Sequence, residues 1–141
     1  MLDQKYSNVL FCSSFAMLAL SIFLVYLDFR QVAVLYFVLF VTSINHWKNP
    51  GYNVKRMIDI YMVMITTVVG MVYATGLDSE LDFYMYNVTA FYTLVLFVTS
   101  GLLFAQKDYM LSVLFHSKIH LICAVGNCMM FYCLRQEAAL H

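Results

Sequence analysis

Long apolar stretches and short charged segments alternate along the chain, and this pattern predicts its helices. The apolar stretches lie at about 8–27, 31–47, 56–77, 83–106 and 110–134. Each is close to or above the ~20 residues that a helix needs to cross the ~30 Å hydrocarbon layer of a bilayer. No alternation of period two indicates a β-barrel. We therefore predict an all-α fold, a polytopic membrane bundle of five transmembrane helices.

The segments between the predicted helices are too short to separate domains. They lie at 28–30, 48–53, 78–80 and 107–108, and the second contains Pro50-Gly51, which stops a helix and favours a turn. Residues 1–141 are therefore predicted to form one transmembrane bundle with short loops.

Composition agrees with a membrane location and excludes several classes of protein. Of the 141 residues, 63% are apolar and 11% are charged, whereas soluble domains are about 45–50% apolar and about 25% charged. The formal net charge is zero, so no basic field attracts the phosphates of a nucleic acid. We expect neither a soluble domain nor a disordered chain, and no nucleic-acid partner.

Lysine and arginine are distributed unequally between the two sides of the predicted bundle. An odd number of spans places the termini on opposite sides of the membrane. The N-terminal side carries five positive residues, Lys5, Lys48, Lys55, Arg56 and Lys107, and the opposite side carries two, Arg30 and Arg135. Because positive loops are retained in the cytosol, we predict a cytosolic N-terminus and an extracytosolic C-terminus.

The few ionisable residues inside the predicted spans mark candidate functional positions, because a charge in lipid is costly. His116 and His120 are four residues apart in the last span, so both imidazoles project from one helix face and can share a metal ion. His46 ends the second span, and Asp59 lies near the start of the third. The order of the spans places all four residues in the cytosolic half of the bundle.

This shared location predicts a metal site. Three histidines with an open fourth position are typical of catalytic zinc, so His46, His116 and His120 are the predicted ligands and zinc is the predicted cofactor. Asp59 would orient a metal-bound water or take its proton.

Two hydroxyl residues precede His46. Thr42 and Ser43 are four and three residues before it, so a helix brings a hydroxyl beside the imidazole. Either hydroxyl could donate a hydrogen bond to the oxyanion that develops on a carbonyl under attack. Asp59, Thr42 and Ser43 are therefore the candidate catalytic residues.

Two other interpretations of the histidines remain open. One is a purely structural polar cluster, in which the imidazoles hydrogen-bond within the bundle and Asp59 pairs with a nearby lysine or arginine. The other is a haem held between His46 and either His116 or His120, because a bis-histidine haem needs one ligand on each face of its ring.

At these residues the chain resembles the CREST superfamily of membrane hydrolases, which contains alkaline ceramidases and adiponectin/progestin-receptor-like proteins. That family carries Ser-x-x-x-His at the end of its second helix, an aspartate early in the third and His-x-x-x-His in the last. Here His46, Asp59, His116 and His120 follow the same order, and residues 56–61 resemble the receptor-like branch. The resemblance implies three zinc-binding histidines and hydrolysis of a lipid amide.

The chain differs from the family pattern in two respects. Thr42 occupies the family's serine position, and Ser43 is one residue closer to His46. The family has seven helices, so two are absent between Asp59 and His116. Loss of an even number leaves the last helix in the same direction, so the site remains geometrically possible.

We predict an integral membrane protein that uses zinc to hydrolyse lipid amides or esters. The site would lie in the cytosolic half of the bundle, and membrane lipid would be the partner. The alternative is a non-enzymatic structural or assembly subunit of a larger membrane complex, or a homo-oligomer. Ten methionines, 12 phenylalanines and 11 tyrosines would supply adaptable helix contacts. A channel or transporter is a third possibility, for which the sequence contains no selectivity filter.

Overall fold

A computed structural model describes residues 4–48 and 54–140, which are almost entirely helical. Along these residues the helices are α1 (Gln4–Ser13), α2 (Phe15–Tyr26), α3 (Arg30–Lys48), α4 (Val54–Ala74), α5 (Glu80–Ala105) and α6 (Tyr109–Leu140). The all-α prediction is confirmed. Most of the predicted loop at 48–53, including Pro50-Gly51, lies outside the described residues.

The helices α1 and α2 form one nearly continuous rod that corresponds to the first predicted span. Only Ser14 separates them, and its backbone remains right-handed helical, with φ −62° and ψ −21°. Ser7, Ser14 and Ser21 recur every seven residues and are all buried. Small side chains at this spacing let neighbouring helices approach closely. The Ser21 hydroxyl accordingly donates to the Ala33 carbonyl of α3 at 2.7 Å.

Four helical segments among the described residues are long and apolar enough to cross a membrane, namely Lys5–Tyr26 and the helices α4, α5 and α6. This agrees with an integral membrane protein. Helix α3 does not belong to that set, so the count of five spans stays a prediction. It packs against α1, α2 and α4, and its two ends carry the polar residues Arg30, Gln31, Asn45, His46 and Lys48.

Contacts between α3 and α6 show that these helices are antiparallel. The Trp47 ring near the end of α3 packs against His116 in the first part of α6. Tyr36, eleven residues before Trp47, donates a hydrogen bond to Asn127, eleven residues after His116. The two contacts therefore occur in opposite order along the two helices.

Helices α5 and α6 form an antiparallel hairpin. Ser100 of α5 contacts Ser112 of α6, and Tyr86 contacts Asn127 further along. Lys107, in the turn between them, has φ 65°, and the N–H of the next residue reaches back to a carbonyl of α5 at 3.0 Å. This is a Schellman-type helix end with a lysine in the left-handed position that glycine usually occupies.

The apolar core and the predicted site lie in different parts of the bundle. Phe131 is fully buried, and its ring packs against Phe29 at 4.9 Å and Tyr73 at 5.1 Å between centroids. The other end of the bundle is formed by α1, the end of α3, the start of α4 and the first part of α6. We call it the histidine end, because it carries His46, Asp59, His116 and His120.

Candidate functional site

A hydrogen-bonded pair joins α3 to α4 at the histidine end. Ser43 Oγ donates to Asp59 Oδ1 at 2.5 Å, and Thr42 Oγ1 lies 3.4 Å from the same oxygen. Thr42 Oγ1 also lies 2.9 Å from the Leu39 carbonyl, one turn earlier in its own helix. Asp59 is only 8% exposed. All three candidate catalytic residues therefore lie together, with the two hydroxyls directed at one carboxylate oxygen.

The carboxylate of Asp59 is held by hydroxyl groups rather than by a cation. Within residues 4–48 and 54–140, the ion pair of the structure joins Arg30 and Asp28 at 3.3 Å, both largely exposed, and none involves Asp59. A buried carboxylate needs hydrogen bonds or a positive charge to offset its desolvation. The two hydroxyl contacts therefore offset part of the desolvation cost of burying the Asp59 carboxylate.

The two histidine rings of α6 meet edge to face, and their separation is compatible with a shared metal ion. The ring centroids of His116 and His120 are 5.3 Å apart. Two imidazoles bound to one tetrahedral zinc at ~2.0–2.1 Å have centroids about 5 Å apart. Nδ1 of His120 shares a hydrogen bond of 2.7 Å with Ser13 Oγ of α1. A second partner of this kind fixes the orientation of a metal-binding imidazole and leaves its other nitrogen for the ion.

The third imidazole lies beside the pair but is not brought to the same point. His46 is 5% exposed, and its Nδ1 has no hydrogen-bond partner among the described residues. The Trp47 ring packs against His46 at 4.4 Å and against His116 at 5.2 Å between centroids. A haem clamped by His46 and His116 would have to displace this indole.

The residues therefore fit the predicted zinc site in part. The separation of His116 and His120 is compatible with a shared ion, and His46 Nδ1 is buried without a hydrogen-bond partner in the described part of the chain. Within the described ranges, however, no group of three or more His, Cys, Asp and Glu side chains is arranged to hold a metal ion. The arrangement shows two neighbouring imidazoles on α6, with His46 close to them.

Two further residues at the histidine end were not identified from the sequence. Ser13 contacts His120, and Trp47 contacts two histidines while its carbonyl accepts a hydrogen bond from Ser7. The sequence contains a weak signal for the first, because Ser13 and Ser14 are adjacent polar residues inside an apolar span. Trp47 next to His46 is typical of an interfacial residue, which gives no indication of the contact with His116.

Comparison with protein-family models, curated proteins and solved structures yields no match to this chain. The interpretation of the site accordingly rests on its own geometry. That geometry is a buried hydroxyl–aspartate cluster and a histidine pair at one end of a helical bundle whose segments suit a membrane.

Proposed function

We propose that this chain is a metal-dependent membrane hydrolase of lipid amides or esters, with its site at the histidine end. The proposal is carried by one observation: residues far apart in the sequence meet there in buried or half-buried positions. Ser43 binds Asp59, and Trp47, adjacent to His46, packs against His116. Ionisable residues gathered inside a membrane bundle are costly and are therefore typical of functional sites.

In this proposal His116 and His120 hold zinc, and His46 is the third ligand. Support comes from the 5.3 Å separation of the first two rings and from His46 Nδ1, which has no hydrogen-bond partner among the residues that the structure describes. Bound zinc would supply a Lewis acid for a lipid carbonyl and lower the pKa of a bound water to about 7. Ser13 keeps the His120 ring in one orientation through its 2.7 Å hydrogen bond.

Asp59 is the proposed proton acceptor for the attacking water. Both hydroxyl contacts of the carboxylate involve Oδ1, so Oδ2 is the oxygen that takes the proton. Because the Ser43 proton is already directed to Asp59, the hydroxyl does not act as the oxyanion donor that the sequence predicts. We assign Ser43 and Thr42 as positioning residues that hold the carboxylate in place.

The order of the histidines and aspartate along the chain is the second support for a hydrolase. His46, Asp59, His116 and His120 follow the order of the CREST superfamily, which the chain resembles at these residues. The shared residue order favours a lipid amide over an ester as the substrate. The cytosolic location of the histidine end belongs to the same proposal and depends on the distribution of lysine and arginine.

Substitution Asp59→Asn tests the proposed reaction. Asparagine has nearly the same volume and keeps an oxygen for Ser43, but it cannot take a proton. We expect hydrolysis of acyl-amide and acyl-ester lipids in nanodiscs to fall by about 10²–10⁴-fold, with zinc content and thermal midpoint unchanged. Asp108→Asn is the matched control, because that exposed carboxylate caps the first turn of α6 and should not affect the rate.

Two results would contradict the proposal. One is an Asp59→Asn protein that hydrolyses lipid at the same rate as the wild type. The other is a folded, zinc-loaded wild-type protein that cleaves neither class of lipid.

A second candidate function, a subunit of a larger membrane complex, is favoured by the thin packing around α4. This helix packs mainly against α3 and has much smaller contacts with α5 and α6. A helix from another chain could cover this side of the bundle. Native mass spectrometry in mild detergent distinguishes the candidates, because a subunit remains in a stable larger assembly and the proposed hydrolase is active as an isolated chain or homo-oligomer.

A further inference from the structure

A groove lies on the outside of the bundle at the histidine end, between α1 and α3. Its volume is about 520 Å³, and residues of both helices line it. Sites for small organic molecules are typically about 300–1,000 Å³. The groove is therefore large enough for part of one lipid molecule, and it is open at the surface of the bundle.

Contacts on either side of the groove show how α1 and α3 are aligned. The Ser7 hydroxyl donates to the Trp47 carbonyl, and further along α1 the Phe15 ring packs against Phe40 at 5.1 Å between centroids. The two helices are therefore antiparallel. The start of α1 and the end of α3 lie side by side at one end of the groove, which we call its outer end.

The groove changes from polar to apolar along its length. Lys48 lies seven residues beyond Val41 on α3, which is about 10 Å along the helix. The polar residues of the groove are Asn8, Asn45 and Lys48, and the apolar residues further from the outer end are Phe11, Val41 and Ile44. Such a gradient matches a molecule with a polar head and an apolar tail.

Lys48 makes the outer end of the groove positive. Among residues 4–48 and 54–140 no carboxylate forms an ion pair with its ammonium, and the described residues that line the groove include no aspartate or glutamate. The ammonium carries three N–H donors and the Asn45 amide carries two. Donors of this kind bind phosphate oxygens, whereas a cationic headgroup would find no anion here.

The same end of the groove carries residues typical of the membrane surface. Trp47 also lines it and precedes Lys48 at the end of α3. Tryptophan and lysine are enriched at the level of the lipid headgroups. The outer end is therefore expected at headgroup level, with the apolar part beside the first carbons of the acyl chains.

We propose that this groove binds one phospholipid with an anionic headgroup, taken from the leaflet at the histidine end. Its phosphate meets Lys48 and Asn45, and its acyl chain lies against Phe11, Val41 and Ile44. A membrane helix, the competing occupant, would bury the Lys48 charge without an anion, which is costly. The inference depends neither on zinc nor on hydrolysis, because it follows from the walls of the groove.

Native mass spectrometry of the full chain tests the proposal. Protein is placed without zinc in nanodiscs of equimolar phosphatidylglycerol and phosphatidylcholine, both ether-linked, and the lipids that it retains in mild detergent are counted. Ether links resist hydrolysis, so the proposed reaction does not alter the count. We expect about one phosphatidylglycerol per chain and several-fold less phosphatidylcholine.

Two lysine variants test the headgroup contact. Lys48→Gln should lower the retention of phosphatidylglycerol about fivefold, since it removes one positive charge at the membrane surface. Lys107→Gln is the matched control, because this lysine is exposed in the turn between α5 and α6 and does not line the groove. The control should retain as much lipid as the wild type.

Two valine variants test the acyl-chain contact. Val41 lines the groove and is 43% exposed, and Val38 does not line it and is 39% exposed. Val41→Trp should displace the lipid, and Val38→Trp should retain it.

Three results would overturn the proposal without bearing on the hydrolase. The first is equal retention of the two lipids by the wild type. The second is equal retention within either pair of variants. The third is a wild-type dimer without lipid, which would mean that a second copy of the chain covers the groove.

Discussion

Gly70 shows how a single residue shapes the interior of the bundle. A Cβ at this position would overlap the Tyr86 hydroxyl and would lie 3.2 Å from Asn127 Oδ1. The absence of a side chain in α4 therefore allows the tyrosine of α5 to reach the buried amide of α6. One glycine thus permits the polar contact between Tyr86 and Asn127 in the middle of the bundle.

Gly70→Ala should destabilise the protein by about 1–2 kcal/mol, because the added methyl overpacks the site. The cost should largely disappear in a Tyr86→Phe background, where the overlapping hydroxyl is absent and the nearest ring carbon is at 3.4 Å. Denaturant titrations monitored through Trp47 fluorescence measure all four proteins. An equal cost of Gly70→Ala in both backgrounds would show that the hydroxyl is not what glycine accommodates.

At the scale of elements, paired serines join the α5–α6 hairpin near the histidine end. Ser100 Oγ donates to the Ser112 carbonyl at 3.0 Å, and Ser112 Oγ donates to the Ser100 carbonyl at 2.9 Å. Both residues are buried. The reciprocal bonds hold the two backbones close together and fix the relative height of the helices, and hence the depth of His116 and His120.

Ser112→Ala should reduce the free energy of unfolding by about 0.6–1.7 kcal/mol, which is the range for hydrogen bonds between membrane helices. Ser117→Ala is the matched control on the same helix, since its hydroxyl donates to the Leu114 carbonyl one turn earlier rather than to another helix. The control should leave stability almost unchanged. Equal effects of the two substitutions would argue that the interhelical bonds contribute nothing specific.

The positions of the charged residues along the sequence predicted where most helices lie, because these residues interrupt the apolar spans. The last predicted span ends at residue 134, and helix α6 continues beyond it to Leu140. The extension is anchored by Glu137, whose carboxylate accepts the N–H groups of Asp78 and Ser79 at 3.2 and 3.3 Å. A helix can continue past the apolar layer where such contacts stabilise it, and hydropathy carries no information about them.

The candidate site could be predicted only at the level of which residues share an end of the bundle. The order of the spans is enough to place His46 and Asp59 near His116. Which side chains touch depends on the rotation of each helix about its own axis, and spans that are apolar all round do not determine that rotation. For this reason the sequence does not show which side chains Ser13 and Trp47 contact.

At the scale of the whole molecule, the distribution of positive residues predicts the orientation in the membrane. A reporter enzyme that is active only outside the cytosol should be active when fused after residue 141 and inactive when fused before residue 1. The reverse pattern, or activity at both ends, would contradict the predicted orientation. It would mean that the histidine end does not lie on the cytosolic side.

The central claim is that the histidine end binds a metal ion. The most direct measurement is the zinc content of protein purified in nanodiscs with a tag that contains no histidine, after zinc loading and removal of free metal. We predict about one zinc per chain in the wild type and in His141→Ala, and close to none in His116→Ala and His120→Ala. Wild-type protein that retains no zinc, or a His116→Ala protein that retains as much as the wild type, would contradict the claim.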